Sequence, residues 1–251
     1  MRLKDRVAIV VGAGQSPGEG IGNGRATALT FGREGAKVLC VDRNLASAQE
    51  TAAMIREGQG TAEAFQADVT KQADIEAMVG DAHKRWGRID ILHNNVGVSI
   101  SGGDAELLDI TEEAFDRCVA INLKSCILAC KAVLPIMRQQ KSGAIVNISS
   151  MAAITTYPYV AYKATKTAMI AFTEQLAYQN AKYGIRANVI LPGLMNTPMA
   201  VDTRAREFKK SRAEVEAERD SKVPLRGKMG TGWDVANAAL FLASDEANFI
   251  T

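Results

Sequence analysis

The sequence has little of what would mark it for a charged partner or a covalent scaffold. Its 30 basic and 28 acidic residues nearly cancel, leaving a net charge of +2, and they are spread along the whole length. Such a balance gives no basic face for nucleic acid and none for an anionic membrane, so neither partner is expected. Only four cysteines occur, Cys40, Cys118, Cys126 and Cys130, without a CxxC pair, and packed free thiols are expected in place of disulfides. Cys126 and Cys130 lie one helical turn apart, but neither histidine, His83 or His93, is near enough in sequence to complete a site, and no metal is expected. Apolar residues make up 47% of the chain, yet they come in short runs broken by charges, short of the roughly 18 apolar residues of a membrane span. The first residues, Met1 to Arg6, lead straight into an apolar strand without the apolar stretch and cleavage site of a secretion signal, so a cytoplasmic protein is expected.

What the chain does have is alternation. At 251 residues it suits one large α/β domain, and no linker or internal repeat divides it. Residues 6–12 form a β-branched run of the kind buried on both faces of a parallel sheet. Glycines 12, 14, 18, 20, 22 and 24 follow at once, and a helix resumes at Arg25. Strand, glycine loop and helix start together suit a pyrophosphate, because missing side chains let backbone N–H groups approach it and the helix N-terminus adds partial positive charge. The second strand, Ala36 to Val41, ends in Asp42, which could accept hydrogen bonds from an adenosine ribose and would repel a 2′-phosphate. That favours NAD over NADP, although Arg43 beside it could receive such a phosphate and Asp42 could simply cap the helix beginning near Leu45.

Further along, a helix over 45–57 leads to a strand near 62–67, and Asp68 or Thr70 could cap the helix that runs to about Trp86. A strand at 88–93 ends in Asn94-Asn95-Val96-Gly97, at the carboxyl end where open α/β sheets bind ligands. Asn95 is a ligand candidate there, with a turn as the alternative, and His93 is either a base or a packing residue. Thr111 should cap a long helix to about Gln140, whose apolar stripe Asn122 interrupts. A strand at 143–148 carries Ser149 and Ser150 at its tip; a helix then runs to about Tyr183, and a strand at 185–191 ends in Pro192-Gly193. The charged stretch 200–222 reads as a mobile lid or a solvated helix, and residues 233–243 as a final helix. Strands alternating with helices, with each polar cluster placed after a strand, describe an α/β doubly wound parallel sheet, a Rossmann-type arrangement of three α/β/α layers.

Within this frame Tyr162 and Lys166 stand four apart on a predicted helix and so share a face. A phenol titrates near pH ~10, too high for a base at neutrality, and an adjacent ammonium favours the phenolate. The pair can act as an acid/base device, although any amphipathic helix can carry the same spacing.

Five motifs in order bear on that choice: Asn94-Asn95-Val-Gly97, Asn122 in Ile-Asn-Leu, Asn147-Ile-Ser-Ser150, Tyr162-x-x-x-Lys166 and Pro192-Gly-x-x-x-Thr197. On these the chain resembles a short-chain dehydrogenase/reductase over essentially its whole length. The resemblance implies Tyr162 as the acid/base, Lys166 as the group that lowers its pKa and holds the nicotinamide ribose, and Asn122 as support for a proton-relay water. Ser150 aligns with the catalytic serine, with Ser149 as the fallback. Asp68 and Val69 would flank the adenine, Asn95 and Gly97 would lie near its ribose, and Pro192, Gly193, Met195 and Thr197 would hold the carboxamide and pyrophosphate side. A homo-oligomer, tetramer or dimer, is also implied.

The chain departs from the family pattern in three places. Gly12 is followed by about six extra residues if Gly22 and Gly24 are the later glycines of the loop, and Gly20 with Gly22 is the other pairing. Val96 replaces the usual Ala, and the sequence stops at Phe249-Ile-Thr251 where family members continue through a last strand. The expected activity is reversible hydride transfer between NAD(H) and a small-molecule secondary alcohol or ketone. The alternatives are a non-catalytic dinucleotide-binding regulator, or an epimerase or dehydratase with transient cofactor reduction. Substrate determinants are expected near 98–104, 154–159 and 194–222, where Tyr157, Tyr159, Arg204 and Arg206 suit a ring or a carboxylate but equally suit a surface.

Overall fold

In a computed structural model describing all residues 1–251, six parallel strands form a central sheet. They are β1 (Val7–Val11), β2 (Lys37–Asp42), β3 (Thr61–Gln66), β4 (Ile91–Asn94), β5 (Gly143–Ile148) and β6 (Ile185–Ile190). Their order is β3-β2-β1-β4-β5-β6, so the chain reverses its direction of travel between β1 and β4. In-register pairs such as Val10 with Cys40, Val10 with His93 and His93 with Val146 keep the strand tips level. The connections are α1 (Asn23–Arg33), α2 (Leu45–Glu57), α3 (Gln72–Trp86), α4 (Glu112–Val119), α5 (Ser125–Gln140) and α6 (Val160–Asn180). After β6 come β7 (Met195–Asn196), α7 (Asp202–Glu207), α8 (Arg212–Asp220), β8 (Gly230–Thr231) and α9 (Gly232–Ala243), with β7 and β8 paired in a separate two-stranded sheet.

Strand alternation sorts the core into two layers. Ile9, Val11, Leu39, Leu92 and Ile145 face α3, α5 and α6, whereas Ala8, Val10, Val38, Ile91 and Val146 face α1, α2 and α9. Because β1, β4 and β5 are buried on both faces, every apolar side chain in them contributes, at about 1.5–3 kcal/mol for a fully buried large one, whereas β3 at the sheet edge leaves Thr61, Glu63 and Gln66 exposed. His93 belongs to this core and not to the cleft: it is fully buried, its ring meets Phe31 edge-on at 6.0 Å, and burial pushes its pKa down to about 3. A base needs access to substrate, so the catalytic reading of His93 falls.

Several local readings change for identifiable reasons. The expected single helix over 111–140 is interrupted by a π-turn at 120–124, which rotates Asn122 into the interior. Taken end to end, residues 112–140 are long and apolar enough, by length and composition, to cross a membrane. Here Cys126, Ala129, Cys130, Val133 and Met137 from this helix pack into the core. Neither Asp68 nor Thr70 caps α3; Asp68 instead accepts from the Thr70 backbone N–H at 3.0 Å and hydroxyl at 2.7 Å. Asn44, not Asp42, caps α2 by accepting from Ser47 N. The stretch 200–222 holds two helices, and its Val201 and Val215 pack with Met229 in a small apolar cluster, so it is not uniformly solvated.

Candidate active site

Most of the polar clusters singled out in the sequence, Asn122 apart, fall along one cleft of about 960 Å³ at the carboxyl ends of the strands. At one end lies the glycine loop. Gly12 has φ +83°, in the left-handed region open to glycine, and a side chain on Gly24 would collide with the Gly12 carbonyl. Asn95 Nδ2 donates to that carbonyl at 3.2 Å, tying the loop after β4 to the loop after β1. Gly22 is the N-cap of α1 without a side-chain cap, and the first turn carries no acid, so backbone donors remain for an anion. Added bulk at Gly20 would meet nothing and at Gly22 almost nothing, whereas Gly14 is closed by Asp42, Gly18 by Asp202, and Gly24 by the backbone of Gly12. The extra residues are closed off by Gln15, whose Nε2 donates to Gly20 O at 3.1 Å while Oε1 accepts from Gly22 N at 3.0 Å.

Asp42, at the tip of β2, is fixed by accepting from Gly14 N at 3.0 Å and Asn44 N at 2.9 Å. Asp68 and Val69 line the cleft across from it, and hydrogen bonds from Thr70 hold the Asp68 carboxyl below the usual range. A dinucleotide fits this half by its chemistry: close backbone at Gly12 and Gly24, free donors at α1, and a carboxylate at the second strand tip.

The other end is organised around α6. Lys166 is 2% exposed and donates from Nζ to Ile148 O at 2.7 Å. Burial pulls its pKa down to about 8. Its Nζ stands 5.7 Å from the centroid of the Tyr162 ring, and a side chain added at Gly97 would approach it at 3.2 Å. The two serines after β5 part company. Ser149 is buried and its hydroxyl donates to the Lys166 carbonyl at 2.7 Å. Ser150 lines the cleft, accepts from Ala152 N at 3.1 Å and acts on the Tyr162 phenol.

One sequence expectation needs correction. Burial holds the Tyr162 phenol above its ordinary value, not below it, and Ser150, Arg204 and Arg219 are the groups that counter this. Asn122 does not line the cleft. Its Oδ1 accepts from Val98 N at 2.7 Å, and its Nδ2 donates to Val98 O at 2.9 Å and to Thr165 Oγ1 at 3.2 Å. The side chain is fully committed to holding the loop after β4 against α6.

Asp104 is a residue whose task the sequence did not reveal. It is 6% exposed, and its carboxylate accepts from Ala161 N at 2.8 Å and Tyr162 N at 3.0 Å, capping α6 from 57 residues upstream. A carboxylate at a helix N-terminus is favoured by the dipole, and here it fixes the turn that carries Tyr162. Ser99 joins this cap to the aromatic wall, donating to Asp104 at 3.2 Å and meeting the Tyr157 hydroxyl at 3.0 Å. A contact that spans so much sequence leaves no local signature.

Comparison with known proteins matches the chain over nearly its whole length. The family model described as "Enoyl-(Acyl carrier protein) reductase" matches residues 17–251. A 2-(S)-hydroxypropyl-CoM dehydrogenase of Xanthobacter autotrophicus is 37% identical over 252 residues, covering 100% of this chain and 94% of that protein. A Burkholderia xenovorans structure assigned to the short-chain dehydrogenases/reductases superposes with a TM-score of 0.91 at 42% identity, covering 100% of this chain and 94% of that one. An NAD+-bound xylitol dehydrogenase superposes with a TM-score of 0.89 at 31% identity, covering 100% and 96%.

Proposed function

The chain belongs to the short-chain dehydrogenase/reductase family, and on that premise we propose that it moves a hydride between NAD(H) and a secondary alcohol or ketone, with Tyr162 as the acid/base. It is an oxidoreductase of the alcohol/ketone kind, as its relatives are. The observation that carries the finer reading is the meeting of Tyr162, Ser150 and a buried Lys166 on the same cleft as the glycine loop and Asp42.

When bound, the nicotinamide supplies the hydride donor or acceptor. In reduction, Tyr162 gives its hydroxyl proton to the substrate oxygen as negative charge develops there. Burial keeps that phenol protonated at neutral pH, which suits a proton donor. Ser150 donates a hydrogen bond to the same oxygen and fixes its position. Lys166 spends one N–H on Ile148 O and keeps two for the nicotinamide ribose, with its charge beneath the phenolate as it forms. Each pKa unit removed from that phenol is worth about 1.36 kcal/mol, and positioned proton transfer typically about 10² to 10⁴ in rate. A water relay at Asn122 would run through its main-chain carbonyl, since its amide is committed.

NAD is favoured over NADP because the fixed Asp42 carboxylate can accept from a ribose diol and repels a 2′-phosphate. The α7–α8 segment, beside the cleft at 202–220, serves as the substrate lid. Absorbance of NADH, in parallel with NADPH, across secondary alcohols and ketones tests the reading. The expected result is net turnover with NAD preferred. Micromolar NADH binding with no turnover across the panel would replace it with a cofactor-binding regulator.

A further inference from the structure

The substrate side of the cleft carries two guanidinium groups that no carboxylate neutralises. Arg204, on α7, makes one hydrogen bond, from Nη1 to the Ala200 carbonyl at 2.9 Å. Arg219, on α8, is half-buried, with Nε against Met229 Sδ at 3.3 Å and Nη2 near the Met195 carbonyl at 3.5 Å. Both line the cleft together with Tyr157 and Tyr162.

Their isolation stands out against the rest of the segment. Arg212 pairs with Asp202, Glu216 and Glu19. Lys210 and Lys222 share Glu218, Lys228 takes Asp220, and Glu214 is closed in a capping box with Ser211. A lid rich in acids has therefore left two inward arginines unmatched. Burial pushes Arg219 down to about 10, and the like charge of Arg204 adds to this, while both cations act on the Tyr162 phenol. Half-buried like charges without a counterion are costly, and an entering anion relieves that cost. Guanidinium forks match carboxylate, sulfonate and phosphate oxygens. Arg206, which the sequence suggested beside Arg204, instead reaches the Pro17 carbonyl in the glycine loop.

We propose that Arg204 and Arg219 form an anion subsite facing Tyr162, so that the substrate is a ketone or secondary alcohol bearing a carboxylate, sulfonate or phosphate a few bonds from the reacting carbon. This rests on Tyr162 marking the reacting end of the substrate.

Two readouts test it separately from the dehydrogenase reading. In the first, NADH oxidation is followed with acetoacetate, levulinate, acetonylsulfonate and acetonyl phosphate, each beside a neutral amide or ester of similar size. The wild type favours the anionic member of at least one pair. Arg204→Gln and Arg219→Gln raise its KM by about tenfold or more, leave KM for the neutral member within about threefold whatever they do to kcat, and do not change KM for NADH. Arg219→Lys restores part of the discrimination. In the second, arginine side-chain NMR of the NADH-loaded protein is titrated with butyrate, propanesulfonate and methyl phosphate. Saturable shifts in the wild type that vanish in both Gln variants support the subsite even if no ketone turns over, an outcome that would count against the dehydrogenase reading alone. Equal rates for charged and neutral partners with unmoved arginine signals would overturn the subsite, as would variants whose only defect is in NADH affinity.

Discussion

At the α6 end of the cleft, Lys166, Ser149, Asn122 and Thr165 are all at most 2% exposed, and each polar side chain meets a protein partner. At the glycine-loop end, Ser16 to Gly20 are exposed, and the fastening comes from Gln15, from Arg206 on Pro17 O at 3.3 Å and from Arg212 beside Glu19 at 3.5 Å. The contrast fits the roles proposed for the two ends. Proton transfer needs side chains held to a fraction of an ångström, which buried hydrogen bonds provide. A pyrophosphate there would need only close backbone at Gly12 and Gly24 and the uncapped N-terminus of α1, so about six extra residues can bulge outward, since closure entropy grows slowly with loop length.

The sharpest way to break this comparison lies beneath the α6 end. Asn147 accepts from Asn94 at 2.9 Å and Cys126 at 3.3 Å and donates to Thr173 at 3.0 Å. Asn147→Ala should cost about 2–5 kcal/mol by stranding buried partners, read by urea unfolding. A loss below about 1 kcal/mol would mean that the network is not what holds this end. Asp104→Ala comes next, at about 0.5–2 kcal/mol for a lost helix cap, with kcat falling while NADH affinity stays. If KM for NADH rises instead, Asp104 serves the wrong end.

pH gives a third contrast. With Tyr162 raised above its ordinary value, ketone reduction should hold across neutral pH and fall once the phenol ionises, whereas alcohol oxidation climbs about tenfold per unit on the acid side of that pKa. A flat oxidation profile would remove Tyr162 from the rate equation. The smallest effect belongs to the loop. Gln15→Ala should weaken NADH binding about threefold and cost under about 1 kcal/mol, leaving kcat alone.

The strands and most helices were legible because both ends of each carry a local signal. The strand at 143–148 and the helix at 45–57 emerge with the expected bounds. The π-turn at 120–124 was not legible, since inserting it keeps the apolar stripe, and Asn122 as a mid-helix oddity was its only trace. The strands at 195–196 and 230–231 are too short to show a period. Of the site, Tyr162, Lys166 and Ser150 were found by motif and do converge on one cleft. The tasks of Asp104 and Arg219 and the tie from Gly14 to Asp42 were missed because each acts on a partner far along the chain. His93 stayed open between base and packing residue because sequence shows a strand end but not the Phe31 ring packed over it.

Tyr162→Phe, with NADH affinity by fluorescence measured beside turnover, tests the acid/base assignment most directly. The account predicts NADH binding within about threefold of wild type and turnover reduced by about 10² or more. Retention of more than about a tenth of wild-type turnover would contradict it.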